Sequence, residues 1–318
     1  MLKLKKGFIY IGITTFLFST MEIALKTISE NFNPVQLNFS RFLIGGIILL
    51  PFALKALKSK KISLTSKDIK TFSLLGLTCV VISMTFYQLA VMNTKASVVA
   101  VLFSCNPIFV MIFAYMVLKE KIYKHNIIAL ILELLGIIII INPLNTKLSI
   151  TGIILTLLAA ITFAIYGVLG KKSCAKFGGI VVTCFSFILG GLEMLLLSLL
   201  SHLNIVSNFL KSFNLNQFAE IPILSGYTLD TIPGVLYVFI CVTGIGYALY
   251  FKAMEVTSAN TTSLVFFFKP ILSPILALII LKELIPINMI LGILFILSGS
   301  LASLLPSLIN EHHRKLSY

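Results

Sequence analysis

From Gly7 to Pro306 the chain is a succession of apolar runs about twenty residues long, separated mostly by short polar or charged connectors. An α-helix rises about 1.5 Å per residue, so a run of that length crosses the roughly 30 Å of hydrocarbon in a bilayer. Ten runs can be marked, at 7–26, 34–54, 69–92, 96–118, 125–142, 150–170, 179–201, 232–254, 259–281 and 286–306. A transmembrane barrel would show strands of about ten residues with alternating polarity instead, and none is present. The lipid bilayer is therefore the expected surroundings. The net charge of +14 could suggest nucleic acid, but the basic residues sit in short clusters between apolar runs, the pattern of loops on one side of a membrane. No nucleic-acid partner is expected. The first run follows Lys3, Lys5 and Lys6 but lacks a small-residue cleavage site, and it reads as a spanning helix. Cys79, Cys105, Cys174, Cys184 and Cys241 show no Cys-x-x-Cys spacing and are expected as free thiols, with no metal and no cofactor.

The runs are also an internal repeat. Ala96 to Ile122 read against Ala259 to Ile285, 163 positions later, puts Phe103 on Phe266, Pro107 on Pro270, Ala114 on Ala277 and Lys119-Glu120 on Lys282-Glu283. At the same offset Tyr87 meets Tyr250 and Thr94 meets Thr257. At an offset of 145, Gly7 meets Gly152, Phe18 meets Phe163, Lys26 meets Lys171 and Phe42 meets Phe187. The change of offset locates about 18 extra residues in 202–230, the one long connector. Each copy holds five helices, an odd number, so the second copy enters the membrane from the opposite side. The fold class expected is an all-α integral membrane protein, ten transmembrane helices in two inverted five-helix repeats, 7–142 and 150–306. With the N-terminus inside, the inner connectors carry about seventeen Lys and Arg against five outside. Both termini and the 307–318 tail are then cytoplasmic, and 202–230 is an external insertion. Val206, Phe209, Leu210 and Phe213 are spaced for an interfacial helix in that insertion, with an unstructured loop the alternative.

The two five-helix copies, each with a mid-span proline in the fourth helix and a Lys-Glu end, resemble the EamA domains of the drug/metabolite transporter superfamily over nearly the whole chain. Phe18-Ser19 stands where that family often has Trp-Gly. Lys26 matches its first-helix lysine, and Pro34 with Arg41 its step into the second helix. Glu22 departs from the pattern, since an apolar or aromatic residue is usual there. The resemblance implies a ten-helix transporter whose central cavity is lined by helices 1, 3, 4, 6, 8 and 9, and it leaves the substrate open.

Ionisable groups in lipid are costly, so those inside the spans are the candidates for function: Glu22, Arg41, Glu133, Glu193 and Lys269. Thr15, Ser19, Glu22 and Lys26 follow helical spacing and form one polar stripe on the first helix. Glu22 lies about 22 Å from the inner face and Arg41 about 10 Å from the outer one. Those depths agree, so an ion pair between them is expected, either as a static brace or as a gate or protonatable coupling site. Thr262, Phe266, Lys269 and Ser273 make a second stripe, matched by Val99, Phe103, Asn106 and Val110. Asn106 and Lys269 each precede a proline, Pro107 and Pro270, whose missing N–H is expected to break the helix near a binding site. Lys269, near mid-membrane, could pair with a carboxylate such as Glu133, lose its proton, or face a watery cavity that receives an anionic group. Tyr87 and Tyr250 could add an aromatic wall or simply pack.

These features point to a secondary transporter in the cytoplasmic membrane, moving a small polar or amphipathic metabolite, amino-acid-like or another small organic solute, by alternating access in the export direction. The competing class is a membrane-embedded binding or scaffold protein. An enzyme is not expected: H-E-x-x-H and G-x-S-x-G are absent, and His125, His202, His312 and His313 lie outside the spans. Gly299 and Ser303 give the tenth helix a small-residue face, which leaves room for a homodimer.

Overall fold

The computed structural model describes residues 2–119, 122–142, 149–256, 262 and 264–316, and among these there are helices and no strands. Among the described residues nine helices are long and apolar enough to cross a bilayer: α1 (Lys6–Ile28), α2 (Pro34–Lys60), α3 (Ser66–Asn93), α4 (Ala96–Leu118), α5 (Lys124–Ile141), α6 (Ile150–Lys171), α7 (Gly179–Leu200), α8 (Ile232–Ala253) and α9 (Leu264–Leu281). A shorter apolar helix, α10 (Ile287–Ala302), completes the ten. The helices outlast the hydrocarbon in places. The α2 helix runs to Lys60 rather than ending near residue 54, and its last turn carries Lys58 and Lys60, cations that suit a helix C-terminus in water.

Local sequence accounts for the ends. Asn33 caps α2, its Oδ1 accepting from the Val35 and Gln36 amides, with Pro34 in the first turn where a missing N–H costs nothing. Thr65 and Asp68 form a reciprocal capping box at the start of α3. The Lys119 and Lys282 residues that close α4 and α9 are both left-handed, at φ 58° and 57°. The repeat thus extends to a backbone conformation that usually calls for glycine.

Packing follows an inverted two-fold. The α2–α7, α4–α9 and α5–α10 pairs join equivalent helices of the two copies, while α3–α6 is mirrored by α8–α1, α4–α6 by α9–α1 and α3–α7 by α8–α2. Glycines set two of the closest crossings. A Cβ on Gly76 would sit 2.6 Å from the Gly190 amide nitrogen, and one on Gly136 would sit 2.7 Å from the Gly292 carbonyl. Such approaches let helices pack closely where lipid supplies no hydrophobic drive. Gly299 faces Ala129 and Glu133 of α5, so this part of the small-residue face of α10 is used within the chain. Apolar side chains such as Ile47, Phe52, Leu196 and Ile279 point outward, as lipid contact requires. Both α3 and α8 contain a π-helical segment, Leu77–Ser83 and Tyr237–Gly246, at repeat-related positions.

In the long connector a helix does form, over Asn204–Ser212. Glu220 anchors it, accepting from Ser207 Oγ at 2.7 Å and pairing with Lys211 at 2.5 Å. These two donors hold the Glu220 carboxyl below its ordinary range, Lys211 first. Phe209 and Phe213 stay exposed, their rings 5.0 Å apart, so the spacing noted in the sequence does make an unpartnered apolar face.

Candidate functional site

The α1 helix is interrupted at Thr20, splitting into Leu2–Ser19 and Met21–Ile28. The Thr20 hydroxyl bonds back to the Leu17 carbonyl at 2.9 Å and meets the Tyr237 hydroxyl of α8 at 2.6 Å, a competition with the backbone that bends helices. The break puts Glu22 in the first turn of a new helix, where the dipole favours a carboxylate. Its Oε1 lies 2.5 Å from Nζ of Lys269 on α9, and both residues are at most 1% exposed. Phe103 of α4 lies 5.5 Å from that ammonium, face-on.

This is not the pairing expected from depth. Arg41 is 1% exposed and makes no ion pair among the described residues; its Nε donates to Asn38 Oδ1 at 3.2 Å, its guanidinium sits 4.6 Å from the Phe42 ring, and Nη2 finds no partner among them. Tyr247, Tyr87, Cys79 and Glu22 are its electrostatic neighbours, so Arg41 and Glu22 share a region without touching. Depth along a helix places a residue at a level; it does not say which way the residue faces. Lys269 likewise does not meet Glu133. That carboxylate faces α10, where Ser300 Oγ donates to Oε1 at 3.1 Å.

Around the charges several polar atoms are short of partners. Ser19 Oγ, Glu22 Oε2, the Tyr87 hydroxyl and Ser273 Oγ are buried with no hydrogen bond of ordinary geometry, as is Arg41 Nη2. Ser19 and Ser273 lie one turn from Glu22 and Lys269 on the same faces, and both stripes read from the sequence do turn inward. Each such atom costs about 1–3 kcal/mol while unpaired, and these five lie in one region.

Two aromatic triads flank this centre and are related by the repeat. Tyr87 packs edge-on to Phe103 at 4.9 Å, and Phe103 lies 5.5 Å from Phe163. Tyr250 packs edge-on to Phe266 at 6.0 Å and lies 6.0 Å from Phe18. Residues 87, 103 and 163 of one triad correspond to 250, 266 and 18 of the other. Sequence matching finds the individual pairs, but only the inverted packing brings them together.

The two prolines behave differently. The α4 helix is broken ahead of Pro107, into Ala96–Phe103 and Asn106–Leu118. Asn106 uses that break to donate to the Ala160 carbonyl of α6 at 2.7 Å. In α9, Pro270 and Pro274 both lie inside one continuous helix, Leu264–Leu281. Pro270 is therefore no helix break, since a spanning helix can lose one N–H and bend while its neighbours hold it. Thr262 is fully buried. Glu193 accepts a hydrogen bond from Ser73 across the α3–α7 contact. Among the described residues no cluster has the make-up of a metal site.

A second polar assembly lies at the end of the bundle where α3 turns into α4. Lys26 Nζ donates to the carbonyls of Val91, Met92 and Thr94 at 2.8, 3.2 and 3.0 Å, serving the last carbonyls of α3. Glu283, after the end of α9, accepts from the Ala96 and Ser97 amides at 2.8 and 3.1 Å and from Ser97 Oγ at 2.5 Å, capping α4. A cavity of about 330 Å³ opens beside them, lined by Lys26, Asn93, Lys95, Ser149 and Glu283 among others. Sequence reading placed Lys26 on a stripe and Glu283 in a motif. The signal that joins them was present, because α4 begins on the side where α9 ends.

The profile of the EamA-like transporter family matches residues 5–142 and 150–305. An uncharacterized transporter of Clostridium kluyveri is 39% identical over 306 residues, 94% of this chain and 93% of its own. The uncharacterized transporter YoaV of Bacillus subtilis is 23% identical over 94% of this chain and 96% of its own, and protein PecM of Dickeya dadantii 24% identical over 66% and 65%. One solved crystal structure superposes on 95% of this chain and 98% of its own with a TM-score of 0.65 at 14% identity, a likeness of fold.

Proposed function

Since the chain belongs to the EamA-like transporter family, we propose that it is a secondary transporter of the cytoplasmic membrane, exporting a small polar or amphipathic organic solute by alternating access, with both termini cytoplasmic. The observation that carries this reading is the set of unpartnered buried polar atoms between α1, α2, α3 and α9. A scaffold gains nothing from leaving them unpaired, whereas a carrier needs them free when no cargo is bound. The Lys26–Glu283 assembly then stands at the external end. It ties α3, α4 and the turn after α9 together, as a closed outer gate requires. Lys269, Glu22, Arg41, Asn106, Tyr87, Tyr250, Thr262 and Ser273 are the residues assigned to binding or gating.

Counterflow into proteoliposomes tests the reading. Vesicles preloaded with a panel of small organic acids, amino acids and amides are expected to exchange at least one of them with its labelled form. A protein that binds a panel member and exchanges none is the membrane-embedded binding protein instead. Orientation is read separately, since a membrane-impermeant amine reagent on intact cells should modify Lys211 and spare Lys58 and Lys60.

A further inference from the structure

The charges at the bundle centre do not balance. Glu22 supplies one negative charge and is in contact with Lys269. Arg41 supplies a second positive charge, at 1% exposure, with no carboxylate within ion-pair distance among the described residues. Glu133 and Glu193 are engaged elsewhere, with Ser300 and Ser73. A lone buried cation is costly, and a counter-charge in contact offsets part of that cost.

We infer that the cargo is a small organic monoanion whose carboxylate is received by Arg41, and not by Lys269. This rests on the transporter reading above. The geometry is that of a carboxylate receptor. Asn38 takes the Nε hydrogen and fixes the plane of the guanidinium, leaving Nη2 free. A planar fork suits a carboxylate better than a point charge would. The Tyr87 hydroxyl, set against Glu22 and an electrostatic neighbour of Arg41, is a further donor. Asn38 is held in turn, its Nδ2 donating to the Val80 carbonyl in the π segment of α3 at 2.9 Å.

The surroundings describe the rest of the molecule. Phe42 lies under the guanidinium, Phe187 is edge-on to Phe42 at 4.7 Å, and Tyr247 is edge-on to Phe187 at 5.0 Å and 5.0 Å from Phe18. A body that meets these rings is apolar and flat. A zwitterion fits poorly, because the one central carboxylate that could take its ammonium already holds Lys269. Arg41, Tyr87, Glu22 and Lys269 are closed off from both sides here, so binding requires the spans to part.

Three probes of one skeleton test this: 3-phenylpropanoate, 3-phenylpropanamide and phenylalanine. Unfolding of the purified full-length protein is followed by a thiol-reactive dye, since Cys79, Cys105 and Cys184 are free and buried. The acid is expected to raise the melting temperature, the amide not at all, and phenylalanine less than the acid. Arg41→Gln should lower the apparent affinity for the acid about 10- to 100-fold, the range for losing a charged hydrogen bond. Arg41→Lys should lower it severalfold and provides the reading if the Gln variant does not accumulate. Equal effects of acid and amide, a larger effect of phenylalanine, no effect of any probe, or unchanged affinity in Arg41→Gln or Arg41→Lys would each overturn the inference. Transport separates the two claims. If the amide exchanges as fast as the acid, the chain is a carrier without this anion site; if the acid binds through Arg41 and nothing exchanges, the site stands and the carrier reading falls.

Discussion

Two buried cations sit near the middle of this bundle and are treated in opposite ways. Lys269 has a carboxylate in contact, set at the start of a half-helix, and an aromatic face nearby. Arg41 has one hydrogen bond, one ring beneath it, and a nitrogen facing no partner. The first arrangement balances its charges within the protein, and the second leaves one charge uncompensated. The contrast shows how to separate a brace from a receptor in lipid: the useful question is which group has been left without a partner.

The largest effect should come from breaking the complete pair. Lys269→Met or Glu22→Gln alone leaves a buried charge unmatched and should cost roughly 3–5 kcal/mol, seen as a large drop in melting temperature or in accumulation. The double variant should recover most of that loss. Arg41→Met removes a buried charge that has no ion-pair partner among the described residues, and should leave the empty protein at least as stable as before. A drop for Arg41→Met as large as for Lys269→Met would erase the distinction between them. A smaller effect is expected at the α3–α4 end, where Glu283→Gln weakens a helix cap and should cost about 1 kcal/mol in thermal unfolding. That assembly sharpens the comparison, because Lys26 and Glu283 each make three hydrogen bonds and belong with Lys269 as structure at rest. The smallest effect concerns the connector helix. Glu220 is held below the ordinary carboxylate range by Lys211 and Ser207, so its contribution is present above that range and fades as the pH falls through the lowered value. Proteolysis near Asn204–Ser212 should therefore speed up in acid while the spans remain intact, and a Glu220→Gln variant should show the faster rate already at neutral pH.

Much of this was legible in the chain. Hydropathy sets span number, the repeat sets the two-fold, and the stripes of α1 and α9 name the inward faces correctly. The partner of Glu22 was not legible, since Arg41 and Lys269 lie on different helices at compatible depths and only the packing of α9 against α1 decides. The unequal prolines were hidden too. The local sequence is alike in both copies, but Asn106 finds a carbonyl on α6 while Lys269 finds a carboxylate on α1, and the backbone breaks only in the first. The π segments have no sequence mark at all.

Those π segments carry a consequence of another kind. A π turn is an α-helix holding one residue more than its ladder needs, so it behaves as an insertion the fold has absorbed. Losing a single residue between Leu77 and Ser83 would restore an α ladder. Losing one elsewhere in a span turns every later side chain by about 100° with no ladder regained. Leu77–Ser83 and Tyr237–Gly246 are then the places in α3 and α8 where the chain length can change by one at least cost. Each lies just ahead of a tyrosine of the aromatic triads, so a one-residue loss inside the π segment would leave Tyr87 or Tyr250 aimed as it is, whereas the same loss elsewhere ahead of it would turn it away.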